Sequence, residues 1–132
     1  REDLLKSKLA RVIEYVEKHY DEPIEVAQVA KLVNLNPDYF CRLFKSATGQ
    51  PFIQYLNNVR ISVAERLLLT TDRLITDILV ETGFSSLSYF NRTFRKIKHC
   101  CPSEYRRAAH CRVSTLDVPA VMNPVREMPV GL

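Results

Sequence analysis

Apolar side chains recur at helical spacing over residues 51–70, in the middle of the chain. They stand at steps of four, three, four and four, which puts them on one face of an α-helix, at Phe52, Leu56, Val59, Val63 and Leu67. Ile53, Ala64 and Leu68 widen this face. Because so wide an apolar face needs cover from both sides, the pattern predicts a long linker helix between two smaller units.

The sequence before this helix predicts three shorter helices, at residues 5–20, 26–33 and 37–47. Asn36 and Pro37 are typical of an N-cap and a first helical residue, and Gly49 is typical of a helix end. Only Asn34 and Leu35 separate the second helix from the N-cap of the third. So short a connection predicts a helix-turn-helix.

The same pattern begins again after the linker helix. It predicts a helix at residues 76–82 that ends at Gly83, and another that is capped by Ser85 or Ser86 and extends to Lys98. Pro102 opens a short last helix, expected to end at Arg107 or Ala109. The tail at residues 112–132 is expected to be disordered or laid over the surface, because prolines interrupt it, at Pro119, Pro124 and Pro129.

An internal repeat is the strongest signal in the sequence. Five residues recur fifty positions later, pairing Tyr39, Phe40, Arg42, Phe44 and Tyr55 with Tyr89, Phe90, Arg92, Phe94 and Tyr105. Upstream the offset falls to 49, so the second turn should be one residue longer. The predicted fold is therefore all-α, with about seven helices. It comprises a first helix-turn-helix unit, the linker helix, a second unit and the tail, at residues 1–50, 51–70, 71–111 and 112–132.

Composition and charge narrow the function. The chain has 132 residues, of which 46% are hydrophobic, with no Trp and only 3 Gly. No apolar run approaches the ~20 residues of a membrane span, and no signal peptide opens the chain, so we expect a cytoplasmic protein with no membrane partner. Net charge is −1 over residues 1–35, +6 over 36–112 and −1 over 113–132. The positive middle favours a polyanionic partner, although a solvated surface also explains it.

Double-stranded DNA is the polyanion that the repeat fits best. The linker helix would span roughly 30 Å, close to the ~34–36 Å between successive major grooves. Within each unit a pair of Phe side chains points to the core, and the opposite helix face carries the candidate contacts, Asp38, Cys41, Arg42, Lys45, Leu87, Ser88, Asn91, Arg92 and Arg95. Arg, Asn and Leu can read base edges, while Ser, Lys and Arg can hold phosphates. Surface ion pairs at Arg42 and Arg92 are the alternative interpretation.

Cysteine and histidine residues raise a second possibility, a metal sensor. The four cysteines form no CxxC pair, and the spacing of the Cys and His residues between His99 and Cys111 fits no usual zinc site. We expect reduced thiols and no metal. No carboxylate pair, nucleophile motif or phosphate loop supports an enzyme, so no cofactor is expected. A helical protein-interaction module is the remaining alternative.

Two segments carry a family resemblance. ITDILVETGFSSLSYFNRTFRK followed by CPSEYRR resembles the signature segment of AraC/XylS transcription regulators, and QYLNNVRISVAERLLL with the unit before it is similar to that family's preceding half. The resemblance covers residues 4–107. It implies two helix-turn-helix units, each placing its second helix in a major groove of DNA. It also implies RNA polymerase as a partner and an effector-binding or dimerisation domain outside this chain, which begins at Arg1 rather than Met.

The sequence departs from the family pattern at three positions. His99 stands where the family commonly has Gly, Cys101 replaces a Ser or Thr cap, and Leu79 replaces Ala. None lies on the expected recognition face. Asp38 is an unusual residue on that face, where it would accept a hydrogen bond from a cytosine amino group rather than approach phosphate.

Overall fold

Helices account for all the regular secondary structure in the described part of the chain. The computed structural model describes residues 2–115, and the side chains of residues 2–110. The seven helices in this range are α1 (Glu2–His19), α2 (Val26–Leu32), α3 (Pro37–Thr48), α4 (Phe52–Thr70), α5 (Ile75–Glu81), α6 (Leu87–Lys98) and α7 (Pro102–Thr115). The predicted all-α fold is confirmed. None of these helices is both long and apolar enough to cross a membrane.

Two compact units divide inside α4, between Arg60 and Ile61. The first has its own core, in which Phe52 and Leu56 of α4 join buried residues of the three preceding helices. The second unit has a separate core, which receives Ile61, Ala64 and Leu68 from the rest of α4. The wide apolar face predicted for this helix is therefore used by both units, one half by each.

A tight turn precedes the second helix of each helix-turn-helix, α3 in the first unit and α6 in the second. In the first turn Asn34 adopts the left-handed conformation with φ 59°, and the Leu35 amide donates to the Ala30 carbonyl at 2.9 Å. In the second turn the left-handed residue is Gly83, with φ 95°, which lies 49 residues after Asn34. Four residues separate α2 from α3 and five separate α5 from α6, so the longer second turn is confirmed.

Arginine side chains brace the start of both helix-turn-helix units. In the first unit, Arg60 is 9% exposed, and its guanidinium donates to the carbonyls of Tyr20 at 2.7 Å and Glu22 at 2.9 Å. In the second, Arg106 donates to three carbonyls just after or within the last turn of α4, at Leu68, Thr71 and Arg73. These charged donors bond carbonyls in or just after the last turns of α1 and α4, where the helices end.

The end of α7 differs from the prediction. The helix continues to Thr115 rather than ending at Arg107 or Ala109, because the sequence contains no proline or glycine from Ser103 to Thr115. Residues 112–115, expected to begin the disordered tail, are helical. The rest of that tail, residues 116–132, lies outside the described residues.

Candidate nucleic-acid interface

Helix α3 is fixed at both ends and presents one polar face. The Asn36 side chain accepts hydrogen bonds from the amides of Asp38 at 2.8 Å and Tyr39 at 3.3 Å, and Gly49 closes the helix with φ 82°. Phe40 and Phe44 are fully buried on the inner face. All four candidates on the opposite face are exposed: Asp38, Cys41, Arg42 and Lys45. Their spacing of three, one and three residues aligns them along one side of the helix.

Helix α6 repeats this arrangement with different polar residues. Ser86 Oγ accepts from the Tyr89 amide at 3.1 Å, and Phe90 and Phe94 are fully buried. Four of the five candidates on its outer face are exposed, namely Leu87, Ser88, Arg92 and Arg95, whereas Asn91 is half-buried. The structure thus brings the nine candidates onto two helix faces, five on α6 and four on α3.

The guanidinium of Arg92 lies over an aromatic ring rather than in an ion pair. Its Cζ is 5.8 Å from the centroid of the Tyr89 ring, and that ring contacts Phe84 with a centroid separation of 5.9 Å. Tyr89 therefore contacts a candidate residue in a way that the sequence analysis did not predict, although its i,i+3 spacing from Arg92 signals the contact. Within residues 2–110, no ion pair involves Arg42 or Arg92, so the alternative interpretation of these arginines finds no support there.

One basic side chain at the end of α6 is already engaged. Lys98 forms an ion pair with Glu65 at 2.8 Å, and the Tyr105 hydroxyl donates to the same carboxylate. Both partners of the ion pair are only 27% exposed. This engagement ties the end of α6 to α4 and α7. Arg92 and Arg95 are the candidate cations of α6, beside Arg42 and Lys45 of α3.

The junction of α6 and α7 contains three of the five residues behind the metal-sensor alternative, namely His99, Cys100 and Cys101. His99 is left-handed with φ 70°, and the Cys101 amide donates to Glu104 Oε1 at 3.2 Å. That backbone hydrogen bond, with a further one from Cys101, lowers the pKa of Glu104, whereas burial raises the pKa of the Cys100 thiol. Among the described side chains, no group of three His, Cys, Asp or Glu residues could hold a metal ion.

Comparison with known proteins places the fold in a family. Residues 29–108 match the model of a helix-turn-helix domain. The DNA-binding domain of AdpA, a global transcriptional factor solved with a target DNA, superimposes with a TM-score of 0.75 and 31% identity, covering 79% of this chain and 94% of that one. A Chromobacterium violaceum regulator with an AraC-type DNA-binding domain gives a TM-score of 0.71 and 27% identity, covering 87% and 96%. The chain belongs to the AraC family.

AraC-family membership confirms the predicted class, the DNA-binding module of a transcription regulator. Over 99 residues, 75% of its length, this AraC-family chain is 35% identical to an uncharacterised HTH-type transcriptional regulator of Staphylococcus aureus. The match spans only 13% of that relative's length. What the rest of such a regulator binds does not transfer to this chain by similarity alone.

Proposed function

We propose that this AraC-family chain binds double-stranded DNA sequence-specifically, with α3 and α6 as recognition helices in adjacent major grooves. The observation that carries the proposal is the repeated helix face. In each unit a buried Phe pair fixes the inner side of the second helix-turn-helix helix, and exposed polar residues line the outer side. That face has the width of one α-helix, which is what the major groove admits.

Direct readout falls first to the two repeated arginines. Arg42 and Arg92 occupy the same position in the two units, and each can donate bidentately to O6 and N7 of a guanine. The Tyr89 ring supports Arg92 and reduces the freedom that its side chain loses on binding. Asn91 can read an adenine, and Asp38 can accept from the amino group of a cytosine.

The remaining candidates act on the thymine methyl group or the backbone. Leu87, 45% exposed at the first position of α6, can contact a thymine methyl. Ser88, Lys45 and Arg95 can hold phosphates, and Cys41 lies among the base contacts of α3. Neutralising phosphates releases counterions, so most of the affinity should depend on salt.

Family membership also suggests where this chain acts and with which partners. The function is binding rather than catalysis, in the cytoplasm, and RNA polymerase is the partner that turns binding into regulation. An effector-binding or dimerisation domain would be supplied by sequence outside this chain, as the much greater length of the Staphylococcus aureus relative suggests.

Replacing Arg92 tests the proposal on a duplex selected by the protein from a random pool. Arg92→Ala should weaken binding by about 1–3 kcal/mol and relax the base preference at one position, while the thermal unfolding midpoint stays unchanged. Arg66→Ala is the matched control, since Arg66 is an exposed arginine of α4 rather than of α3 or α6. Filter binding at two salt concentrations measures the affinity for the selected duplex and its dependence on salt. Unchanged affinity in Arg92→Ala, or affinity that does not fall steeply with salt, would contradict the proposal.

A further inference from the structure

A groove of about 520 Å³ lies beside α3 in the first unit. Its apolar wall comes from the starts of α2 and α4, at Val26, Pro51, Phe52 and Ile53. Its rim includes two basic side chains of α3, Arg42 and Lys45. The volume falls within the ~300–1,000 Å³ typical of small-molecule sites, which are likewise mostly apolar with a few polar groups.

The buried side of the groove packs against aromatic rings. The Phe52 ring is 2% exposed, and its centroid lies 5.5 Å from that of Phe40 and 5.4 Å from that of Phe44, both in edge-on geometry. The neighbouring Ile53 is 46% exposed, so an apolar surface remains open at the groove. A ligand that covered Ile53 would gain free energy from burial without reorganising the floor.

Charge at the rim selects the kind of ligand. Arg42 and Lys45 are three residues apart on one helix face, both are exposed, and neither forms an ion pair within the described side chains. An apolar wall beside two available cations is complementary to an apolar body that carries a negative group. We propose that this groove binds a small amphiphilic anion, an aromatic or aliphatic carboxylate.

The internal repeat retains only part of this wall in the second unit. Fifty residues later, polar or smaller side chains occupy the positions that correspond to Ile53 and Pro51, namely Ser103 and Cys101. The basic residues are retained, with Arg92 and Arg95 at the positions of Arg42 and Lys45. Val26 and Phe52 correspond to Ile75 and Pro102, which are also apolar, so the apolar wall is wider in the first unit than in the second.

Ligand binding would compete with DNA. Arg42 and Lys45 are candidate DNA contacts, and an anion held by them would occupy the same donors. This coupling rests on the proposed function, whereas the binding site itself does not. By linkage, a ligand that excludes DNA weakens the apparent DNA affinity by the factor 1 + [L]/Kd.

Titration of the whole 132-residue chain with 2-naphthoate tests the site. The fluorescence of the naphthyl group should change saturably, with a Kd of about 1 mM or tighter. Ile53→Ser, which introduces the residue found in the second unit, should weaken binding at least tenfold. Leu69→Ser is the matched control, since Leu69 is 45% exposed and lies outside the groove. Neutral 2-naphthamide should bind at least fivefold more weakly than the carboxylate.

Each alternative result counts against the groove as an anion site. No saturable signal, or equal loss in Ile53→Ser and Leu69→Ser, would overturn it, as would equal binding of the amide. Naphthoate binding that leaves DNA affinity unchanged would keep the site and overturn the competition. If Ile53→Ser weakens DNA binding while naphthoate does not bind, the groove belongs to the DNA surface, and the proposed occupant is wrong.

Discussion

His99 holds a left-handed backbone conformation that its counterpart in the repeat, Gly49, adopts without a side chain. The φ values are 70° and 82°. A Cβ raises the energy of this conformation by roughly 1–2 kcal/mol, so His99→Gly should raise the free energy of unfolding by about 1 kcal/mol. Urea unfolding measures the change, with Gly49→Ala as the opposite control. A less stable His99→Gly variant would show that the imidazole makes a compensating contact.

Arg60 should be the most sensitive polar residue of the first unit. Its guanidinium is 9% exposed and donates to the carbonyls of Tyr20 and Glu22. Arg60→Ala would leave these acceptors without a charged donor and should lower the free energy of unfolding by about 2–3 kcal/mol. Arg66→Ala, on the exposed side of the same helix, should change it by less than about 0.5 kcal/mol. Equal effects of the two substitutions in urea unfolding would contradict this role.

At the site, sequence spacing predicted the orientation of side chains better than their surroundings. The Phe40–Phe44 and Phe90–Phe94 pairs identified the inner faces because helical periodicity fixes which side chains share a side. The half-burial of Asn91 depends on neighbouring elements, which the spacing within one helix does not describe.

At the scale of elements, a capping interaction at the start of α7 should make stability depend on pH. The Cys101 amide donates to Glu104 and lowers the pKa of its carboxyl, so this stabilisation is complete above the unfolded-state pKa of about 4.3. It is lost as the pH falls through the lowered folded-state pKa. Glu104→Gln should therefore unfold more easily than the parent at pH 7, with the difference shrinking towards pH 3. Thermal unfolding across this range measures it, and a constant difference would contradict the capping role.

Helix boundaries were predictable where local chemistry sets them. Asn36 marks the start of α3 because its side chain accepts hydrogen bonds from the free amides there. Gly49 marks the end because glycine tolerates a positive φ. The predicted end of α7, at Arg107 or Ala109, was wrong because Pro102 marks only where the helix begins. The residues after Ala109 contain no helix breaker before Pro119. The carbonyl partners of Arg60 and Arg106 lie more than thirty residues away in the sequence, so no local pattern identifies them.

At the scale of the whole molecule, α4 serves both units. Its first half completes one core and its second half completes the other, with the division between Arg60 and Ile61. The repeat predicted two units because each half of the chain alone lacks cover for its apolar face. We predicted residues 51–70 as a linker separate from both units, because an apolar stripe on one helix does not show which core each of its residues joins.

Sequence selection from a random duplex pool, carried out with the parent protein and with Arg42→Ala and Arg92→Ala, tests the central claim most directly. The parent should enrich two sequence elements about 10–10.5 bp apart, one for each recognition helix. Each variant should lose the base preference at a different element and keep the other. A single enriched element, or loss at the same element in both variants, would contradict DNA recognition by α3 and α6 together.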